Sequence, residues 1–161
     1  MEIRIGNSYR SSSEEIIAEI LTKEGLKFTY EERLLVEDKD GGGYEKGRLW
    51  YPDFHLTDYG IIVEFFGKHP KENEVEFIIR VENKIKMYNK MKLTVVSLYS
   101  KDIWSVNKEK WFRNIRVKEN ILNKIYGAIM TLKKDARLGD SELDTKTSKN
   151  YRYSTSFKLK N

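Results

Sequence analysis

Apolar and polar residues recur along the chain with two periods, one helical and one extended, and the first periodic segment is helical. Ser11–Ser13 and the two glutamates after them are typical of a helix start, where serine oxygens cap free N–H groups and acids face the positive end of the helix dipole. Ile17, Ala18 and Leu21 then follow at helical spacing. This pattern predicts a helix over residues 13–24.

Several later segments are rich in β-branched and aromatic residues, which favour extended structure. They predict strands over residues 27–36, 48–56, 60–66 and 93–99. The continuous apolar run Ile61–Val63 is typical of a central strand that is buried on both faces. Glycines and charged residues between 38 and 47 predict a turn or a flexible loop.

Helical periodicity returns over residues 73–91 and again over residues 106–132. The candidate core contacts of these two segments are Ile78, Val81, Ile85 and Tyr88 in the first, and Trp111, Ile115, Leu122, Ile125 and Ile129 in the second. The polar residues 135–149 predict a loop, and the alternating residues from Tyr151 onward indicate a strand or an extended arm. The order α-β-β-β-α-β-α predicts a mixed α/β domain.

Composition narrows the class of protein further. A length of 161 residues suits one domain with a tail or arm, and the absence of cysteine excludes disulfides, thiolate metal sites and cysteine nucleophiles. Two histidines give no basis for a zinc site or a Ser-His-Asp triad. Because there is no apolar run of ~18 residues and no apolar secretory segment, we expect a cytoplasmic protein without membrane contact.

The net charge of +5 is distributed unevenly along the chain. Residues 107–161 contain 14 Lys or Arg and 6 Asp or Glu, whereas residues 1–106 carry a net charge of −3. A basic segment attached to an acidic body suits contact with a polyanion such as DNA, because Lys and Arg displace counterions from phosphates. A solvated lysine-rich surface is the alternative explanation. The charge division predicts a core over residues 1–106 and a basic extension over residues 107–161.

Two carboxylates stand near the ends of neighbouring predicted strands. Asp53 follows Pro52, and Glu64 comes eleven residues later, so a tight link between the strands would bring both acids to one sheet edge. The strands look buried, and a buried carboxylate is costly unless it is paired or bound to a metal. Two close carboxylates suit a hard cation such as Mg²⁺. Each acid taken alone is also compatible with a strand end or an exposed face.

Glu14 is a third candidate acid, on the first predicted helix. It precedes Ile17, Ala18 and Leu21 by three, four and seven residues, which places it on the apolar side of that helix. A first-turn acid that is stabilised by the helix dipole is the alternative interpretation.

These residues together resemble a known family. The motifs that carry the resemblance are Glu14-x-x-Ile17-Ala18-x-x-Leu21, Tyr30-Glu31, Tyr51-Pro52-Asp53-Phe54 and Ile62-Val63-Glu64-Phe65-Phe66-Gly67. They are similar to the PD-(D/E)xK nuclease superfamily, the restriction-endonuclease-like fold of many restriction enzymes, Holliday-junction resolvases, some homing endonucleases and very-short-patch repair enzymes. The resemblance covers about residues 12–103. It implies a mixed β-sheet flanked by helices, to which this chain adds a basic C-terminal helical or extended extension.

One residue departs from the pattern of the family. The family's lysine, two residues after the acid, would fall at position 66, where this chain has Phe66. Branches with a glutamate-aromatic-aromatic-glycine strand end place the lysine on the following helix, and Lys84 matches that arrangement best. Lys68 on the preceding loop ranks second and Lys86, which points away from the buried stripe, ranks third. A solvated surface charge is the alternative for each lysine.

The resemblance also implies roles for these residues. Asp53 and Glu64, with the backbone carbonyl of Phe65, would hold one Mg²⁺, for which Mn²⁺ would substitute. Glu14 would bind a second metal or position a metal-bound water, and Lys84 would orient or deprotonate the nucleophile. Hydrolysis of the phosphodiester bond would leave a 5′-phosphate.

We expect the C-terminal third to supply much of the contact with DNA, and we expect that DNA to be double-stranded. Its candidate nucleic-acid-binding residues are Lys108, Lys110, Arg113, Arg116, Arg152 and Lys158. For the apolar residues Trp111, Ile115 and Ile125 of this segment, the alternative is packing on the domain or a dimer interface. A homodimer would supply two active sites for cutting both strands.

Several functions remain open at this stage. A small site-specific endonuclease of the homing or restriction type, encoded by a phage, plasmid or other mobile element, fits the size best. A structure-selective junction resolvase, a nuclease subunit of a larger complex and an RNA-processing enzyme are alternatives. A nucleic-acid-binding module that has lost catalysis is favoured by Phe66 in place of lysine.

Overall fold

A four-stranded mixed sheet lies at the centre of the fold, in a computed structural model that describes residues 9–36, 48–107 and 110–143. The helices of these segments are α1 (Ser12–Lys23), α2 (Glu74–Lys90), α3 (Ser100–Ile103) and α4 (Val117–Leu143). The strands are β1 (Thr29–Tyr30), β2 (Leu34–Val36), β3 (Arg48–Trp50), β4 (Phe54–Leu56), β5 (Ile61–Phe66), β6 (Thr94–Tyr99), β7 (Trp104–Asn107) and β8 (Lys110–Arg113).

The central sheet has the strand order β1-β4-β5-β6. β4 runs antiparallel to β1 and β5, whereas β5 and β6 are parallel and are connected through α2. Two further antiparallel pairs, β2–β3 and β7–β8, stand outside the central sheet. The prediction of a mixed α/β fold with a mixed sheet flanked by helices is confirmed.

The first two helices begin at side-chain caps, and the cap of the first belongs to the serine-rich start that the sequence predicts. The Ser11 hydroxyl accepts the Glu14 N–H at 3.2 Å at the start of α1. At the start of α2, Asn73 and Glu76 form a reciprocal capping box, with hydrogen bonds of 2.9 and 3.0 Å. Gly25, with φ at +69°, follows the end of α1 in the left-handed conformation that glycine tolerates best.

The core gathers around the two faces of β5. The predicted central run is confirmed, because Ile61, Ile62 and Val63 are all 0% exposed. The other apolar residues with 0% exposure are Ile17, Leu21, Phe54, Leu56, Tyr88, Leu98, Ile103, Ile121 and Ile125. Helices α1, α2 and α4 therefore each contribute to the layers that cover the sheet.

Two of the predicted strands are wrong as single strands. Residues 27–36 divide into β1 and β2 because Glu31 has φ at +49°, which is incompatible with extended backbone. Residues 48–56 divide into β3 and β4 around Pro52, which has no N–H to donate to a neighbouring strand. In each case one part of the segment, β1 or β4, belongs to the central sheet, and the other part, β2 or β3, belongs to the separate β2–β3 pair.

The predicted helix over residues 106–132 is wrong in its first part. The chain instead forms the β7–β8 hairpin, and α4 begins only at Val117. The prediction of Trp111 and Ile115 as core contacts is also wrong, since their side chains are 63% and 97% exposed. The aromatic residues of β8 favour extended structure, which overrides the helical spacing. The remaining predicted contacts of this segment, Leu122, Ile125 and Ile129, are buried.

Two smaller predictions are also corrected. α4 continues to Leu143, so the loop predicted from residue 135 is helical as far as that residue; no proline interrupts it, and the single Gly139 costs the helix only about 1 kcal/mol. Ile78 on α2 is 47% exposed and is not a core contact, because the buried side of this helix centres on Val81 and Tyr88. Residues 144–149 and the predicted arm after Tyr151 lie outside the described residues.

A polar network around the buried Asp102 joins α4 to the end of β6. Lys124 donates to the Ser97 carbonyl at 3.0 Å and to the Asp102 carboxylate at 2.7 Å. The same carboxylate accepts the Tyr99 N–H at 2.8 Å, and Asn120 donates to the Asp102 carbonyl at 3.1 Å. Since Asp102 is only 7% exposed, these bonds are what make its burial tolerable.

The chain divides into two compact units, Met1–Ile129 and Met130–Asn161. The first unit contains the sheet, and the second is described here only as the helical residues 130–143. The division into a core over 1–106 and a basic extension over 107–161 stays a prediction. Across the described segments, no helix is long and apolar enough to cross a membrane.

Candidate active site

Asp53 and Glu64 meet where β4 and β5 diverge. In the antiparallel register Phe54 is opposite Val63, so the preceding residue Asp53 falls opposite Glu64. The Asp53 N–H donates to Glu64 Oε2 at 3.3 Å, and the Phe65 N–H donates to Asp53 Oδ2 at 2.7 Å. The predicted meeting of the two acids at one sheet edge is therefore present in the structure.

Two side chains of α2 reach Glu64 from above the sheet. Lys84 and Tyr88 are one helical turn apart, and both hydrogen-bond the Glu64 carboxylate, Lys84 at Oε1 and Tyr88 at Oε2 (3.2 Å). Glu64 is only 1% exposed. A carboxylate so far from water requires donors of this kind, and Lys84 supplies the compensating positive charge.

The electrostatics of the site are unusual at Asp53. Burial raises its pKa to about 6, and the charges of Glu14 and Glu31 push it in the same direction. The Phe65 N–H and the Lys84 charge act against this rise. The carboxyl group therefore changes its charge close to neutral pH, which is common for groups at functional sites.

The pKa of Lys84 is lowered, which is the direction that suits proton transfer. Burial lowers the pKa of its amine and nearby Arg10 lowers it further, whereas the charges of Asp53 and Glu14 raise it. The Lys84 ammonium therefore gives up its proton more readily than the ammonium of a surface lysine does. Burial and the charge of Asp53 raise the pKa of Tyr88, which remains a hydrogen-bond donor over the physiological range.

Glu14 lies close enough for its charge to act on Asp53 and Lys84, but its own oxygens are engaged elsewhere. Oε2 accepts the Arg10 N–H at 3.1 Å and the Tyr30 hydroxyl, and Oε1 accepts the Ser11 hydroxyl at 3.1 Å. Glu14 is 8% exposed, which confirms that it faces the apolar side of α1. It forms the outer wall of the site.

Sequence reasoning does not find the Arg10–Glu31 pair, which forms a salt bridge beside Glu14. Glu31 adopts a left-handed conformation with φ at +49°, and its N–H donates to the Asp53 carbonyl at 3.2 Å. A non-glycine residue in this conformation is a frequent companion of functional sites. The dipeptide Tyr30-Glu31 belongs to the family resemblance, but nothing in the sequence signals Arg10.

The other two candidate lysines lie away from the carboxylates. Lys68 is exposed and pairs with Glu74 at 2.8 Å. Lys86 is exposed on α2, as its helical position predicts. Phe66, at the position of the family's lysine, is 2% exposed and packs against Tyr99, with 5.9 Å between ring centroids. Among the three candidates, the structure brings only Lys84 to Glu64.

The candidate DNA-binding residues are placed differently from the prediction. Lys110 and Arg113 lie on β8 and Arg116 lies in the segment before α4, so they follow a hairpin rather than a helix face. Arg113 is partly neutralised by Glu19, 3.1 Å away. The remaining three candidates, Lys108, Arg152 and Lys158, lie outside the described residues.

The donor set of the site fits a hard cation. Asp53, Glu64 and the Phe65 carbonyl offer only oxygen, the ligand that Mg²⁺ prefers. The Phe65 N–H points toward Asp53, and the N–H and carbonyl of one strand residue point to the same side, so the carbonyl faces Asp53 too. Within residues 9–36, 48–107 and 110–143, no group of three or more His, Cys, Asp or Glu side chains could hold a metal. Two carboxylates are nevertheless a usual number for Mg²⁺, which keeps several waters.

Comparison of the sequence with family models and with curated proteins finds no match. The assignment of a function therefore rests on the chemistry of the site.

Proposed function

We propose that this protein is a Mg²⁺-dependent endodeoxyribonuclease of the restriction-endonuclease-like, PD-(D/E)xK type. The proposal keeps to the branch in which the catalytic lysine is on the helix after the second acid. A small site-specific enzyme of the homing or restriction type remains the preferred form. A junction resolvase and a nuclease subunit of a larger complex remain alternatives within the same activity.

One observation carries the proposal. Three elements bring the buried Glu64 of β5 together with two partly buried groups, Asp53 before β4 and Lys84 on α2. A fold gains little stability from withdrawing two acids and a lysine from water, because the cost of desolvation is comparable to the attraction between them. Such a cluster is therefore better explained by chemistry than by packing.

The side chains would divide the work of hydrolysis among them. Asp53, Glu64 and the Phe65 carbonyl would hold the cation, which supplies a more acidic water and stabilises charge on the phosphoryl oxygens. Lys84, with its lowered pKa, would orient the attacking water or accept its proton. Tyr88 would fix the Glu64 carboxylate through its 3.2 Å hydrogen bond, and Glu14 would position water at the outer wall.

A binding module without catalysis is the second candidate. It is favoured by the hydrogen bonds that Glu64 already receives from Lys84, Tyr88 and the Asp53 N–H. A carboxylate with three donors is also what a purely structural ion pair would show. Cleavage assays separate the two candidates.

The direct test is incubation of the full chain with supercoiled and linear DNA, with Mg²⁺ and with EDTA, followed by mapping of the ends. We expect Mg²⁺-dependent nicks or breaks that carry 5′-phosphates. Discrete products would indicate a site-specific enzyme, and cutting confined to a cruciform would indicate a resolvase. DNA that is bound but stays intact in Mg²⁺ and Mn²⁺ would overturn the nuclease and favour the binding module, and an RNA-only substrate would overturn the choice of DNA.

A further inference from the structure

The β7–β8 hairpin exposes large apolar side chains to solvent. All four residues of β8 are exposed, and so are the last two residues of β7. Trp111 and Phe112, which point to opposite faces, are 63% and 48% exposed. Ile115, just beyond the hairpin, is 97% exposed. A cluster of large exposed apolar groups on one element indicates a contact surface.

The charge of the hairpin indicates what kind of partner it contacts. In the sequence, residues 104–116 include four cations, Lys108, Lys110, Arg113 and Arg116, against one acid, Glu109. A second copy of the chain is a poor occupant, because a two-fold interface would place these cations against themselves. A polyanion with flat apolar faces satisfies both the charge and the rings, and that combination is found in unpaired nucleotides.

The base of the hairpin is joined to the helix that carries Glu14. Trp104 Nε1 donates to the Ser13 hydroxyl at 2.8 Å, and Ser13 immediately precedes Glu14 on α1. Arg113, opposite Trp104 in the hairpin register, bonds Glu19 of the same helix at 3.1 Å. The hairpin is thus fixed to the element that forms the outer wall of the candidate site.

We propose that Trp111 and Phe112 stack on unpaired bases, so that the preferred substrate is DNA with a locally opened or single-stranded region. This proposal rests on the proposed nuclease function and names its substrate class. Lys110 and Arg116 contact the phosphates on either side and bind without regard to pairing. The rings supply the discrimination, since only an unstacked base exposes its face.

The test is a binding measurement in EDTA, where cleavage plays no part. Fluorescence anisotropy compares a fully paired duplex with the same duplex carrying a central run of mismatched bases. The variants are Trp111→Ala/Phe112→Ala and, as a matched control, Leu35→Ala/Leu49→Ala, which removes an exposed cross-strand pair (62% and 52%) from the β2–β3 hairpin.

We expect the wild-type protein and the leucine variant to bind the mismatched DNA more tightly than the duplex. The aromatic double variant should lose about tenfold or more in affinity for the mismatched DNA and much less for the duplex. Trp111→Tyr should retain the preference and Trp111→Leu should weaken it, which separates stacking from apolar bulk and from loss of the hairpin fold. Lys110→Ala should weaken binding to both DNAs alike.

Three results would overturn the proposal. The first is that the wild-type protein shows no preference for mismatched DNA. The second is that the aromatic double variant loses the same factor of affinity for both DNAs. The third is that sedimentation shows a dimeric wild-type protein and a monomeric aromatic variant. A protein that prefers mismatched DNA but never cleaves it would overturn the nuclease and leave this inference standing. A nuclease that lacks the preference would do the reverse.

Discussion

At the scale of single residues, Lys84 and Glu64 explain why a core aromatic can stand at position 66. Phe66 packs against Tyr99, and its place in the buried layer leaves no room for a charge there. The positive charge that Glu64 requires comes instead from α2, one layer above the strand. Lys84 is twenty residues from Glu64 in sequence and yet lies beside it in the fold.

We expect Lys84→Ala to slow DNA cleavage by about 10²-fold or more, because it removes the group that orients or deprotonates the nucleophile. Lys86→Ala, on the exposed side of the same helix, should cleave at the wild-type rate. The measurement is the single-turnover rate of plasmid nicking.

Lys84→Ala also leaves Glu64 buried without a counter-charge, so its stability must be measured alongside its rate. Glu64→Gln/Lys84→Met removes both charges, and we expect it to melt close to the wild-type protein while remaining inactive. Wild-type nicking by Lys84→Ala would assign the lysine role to another residue.

The raised pKa of Asp53 predicts how activity and stability depend on pH. Metal binding requires the carboxylate and competes with its proton, so at Mg²⁺ concentrations well below saturation cleavage should fall by about tenfold per pH unit below about pH 6. The pKa in the fold lies above the ordinary value of 3.8, so the fold favours the protonated acid, and stability falls as pH rises from 3.8 to about 6.

Melting curves in EDTA check the stability part of this prediction. The side chain at position 53 cannot ionise in Asp53→Asn. The melting temperature of this variant should therefore exceed that of the wild-type protein by a margin that grows between pH 4 and pH 6. Above pH 6 the margin should be constant, because the pKa of Asp53 in the fold is about 6. A margin independent of pH would show that Asp53 is not destabilised by its burial.

At the scale of secondary-structure elements, the sequence predicts what local pattern determines. The serine cap marks the start of α1, and the apolar run of β5 identifies the central strand. The β7–β8 hairpin escapes sequence reasoning because its aromatic residues also occur at helical spacing, and only tertiary structure decides between the two. The backbone turn at Glu31, which divides one predicted strand, has no local sequence signal.

The same contrast applies to the site. Asp53, Glu64 and Lys84 are predictable, because strand ends and helix faces determine where such side chains point. The Arg10–Glu31 pair is not, because long side chains from a loop and a helix start meet only after the sheet has formed.

The network that holds α4 to β6 makes a prediction about stability. Asp102→Ala removes a buried acceptor shared by Lys124 and the Tyr99 N–H and leaves both partly buried donors without it, so we expect a loss of about 1–3 kcal/mol in the free energy of unfolding. Asp58→Ala, at an exposed turn, should change it by less than about 0.5 kcal/mol. Urea denaturation measures both, and equal values would show that the network is dispensable.

At the scale of the whole molecule, the net charge of +5 combines a slightly acidic segment over residues 1–106 with a basic one over residues 107–161. The candidate site uses several of the acids of the first segment. If the second segment provides much of the attraction to phosphates, the two parts would do different work, one in chemistry and one in binding.

We therefore expect Arg152→Gln/Lys158→Gln to weaken DNA binding and to flatten its dependence on salt, by about one unit of log–log slope for each phosphate that the protein no longer neutralises. Ser154→Ala/Ser156→Ala, which leaves the charge of the same segment unchanged, is the control. Titrations at several salt concentrations provide the slopes, and an unaltered slope in the charge variant would remove these residues from the interface. The full chain is needed, because truncation at residue 106 would remove the buried Ile121 and Ile125 of α4.

The central claim is that Asp53 and Glu64 form a catalytic metal site, and it is tested most directly by Asp53→Asn in a cleavage assay with Mg²⁺. Asp58→Asn, which removes an exposed carboxylate five residues later, is the matched control. We predict that Asp53→Asn abolishes cleavage while DNA affinity stays equal or rises, and that Asp58→Asn cleaves like the wild-type protein. Cleavage by Asp53→Asn at the wild-type rate would contradict the account.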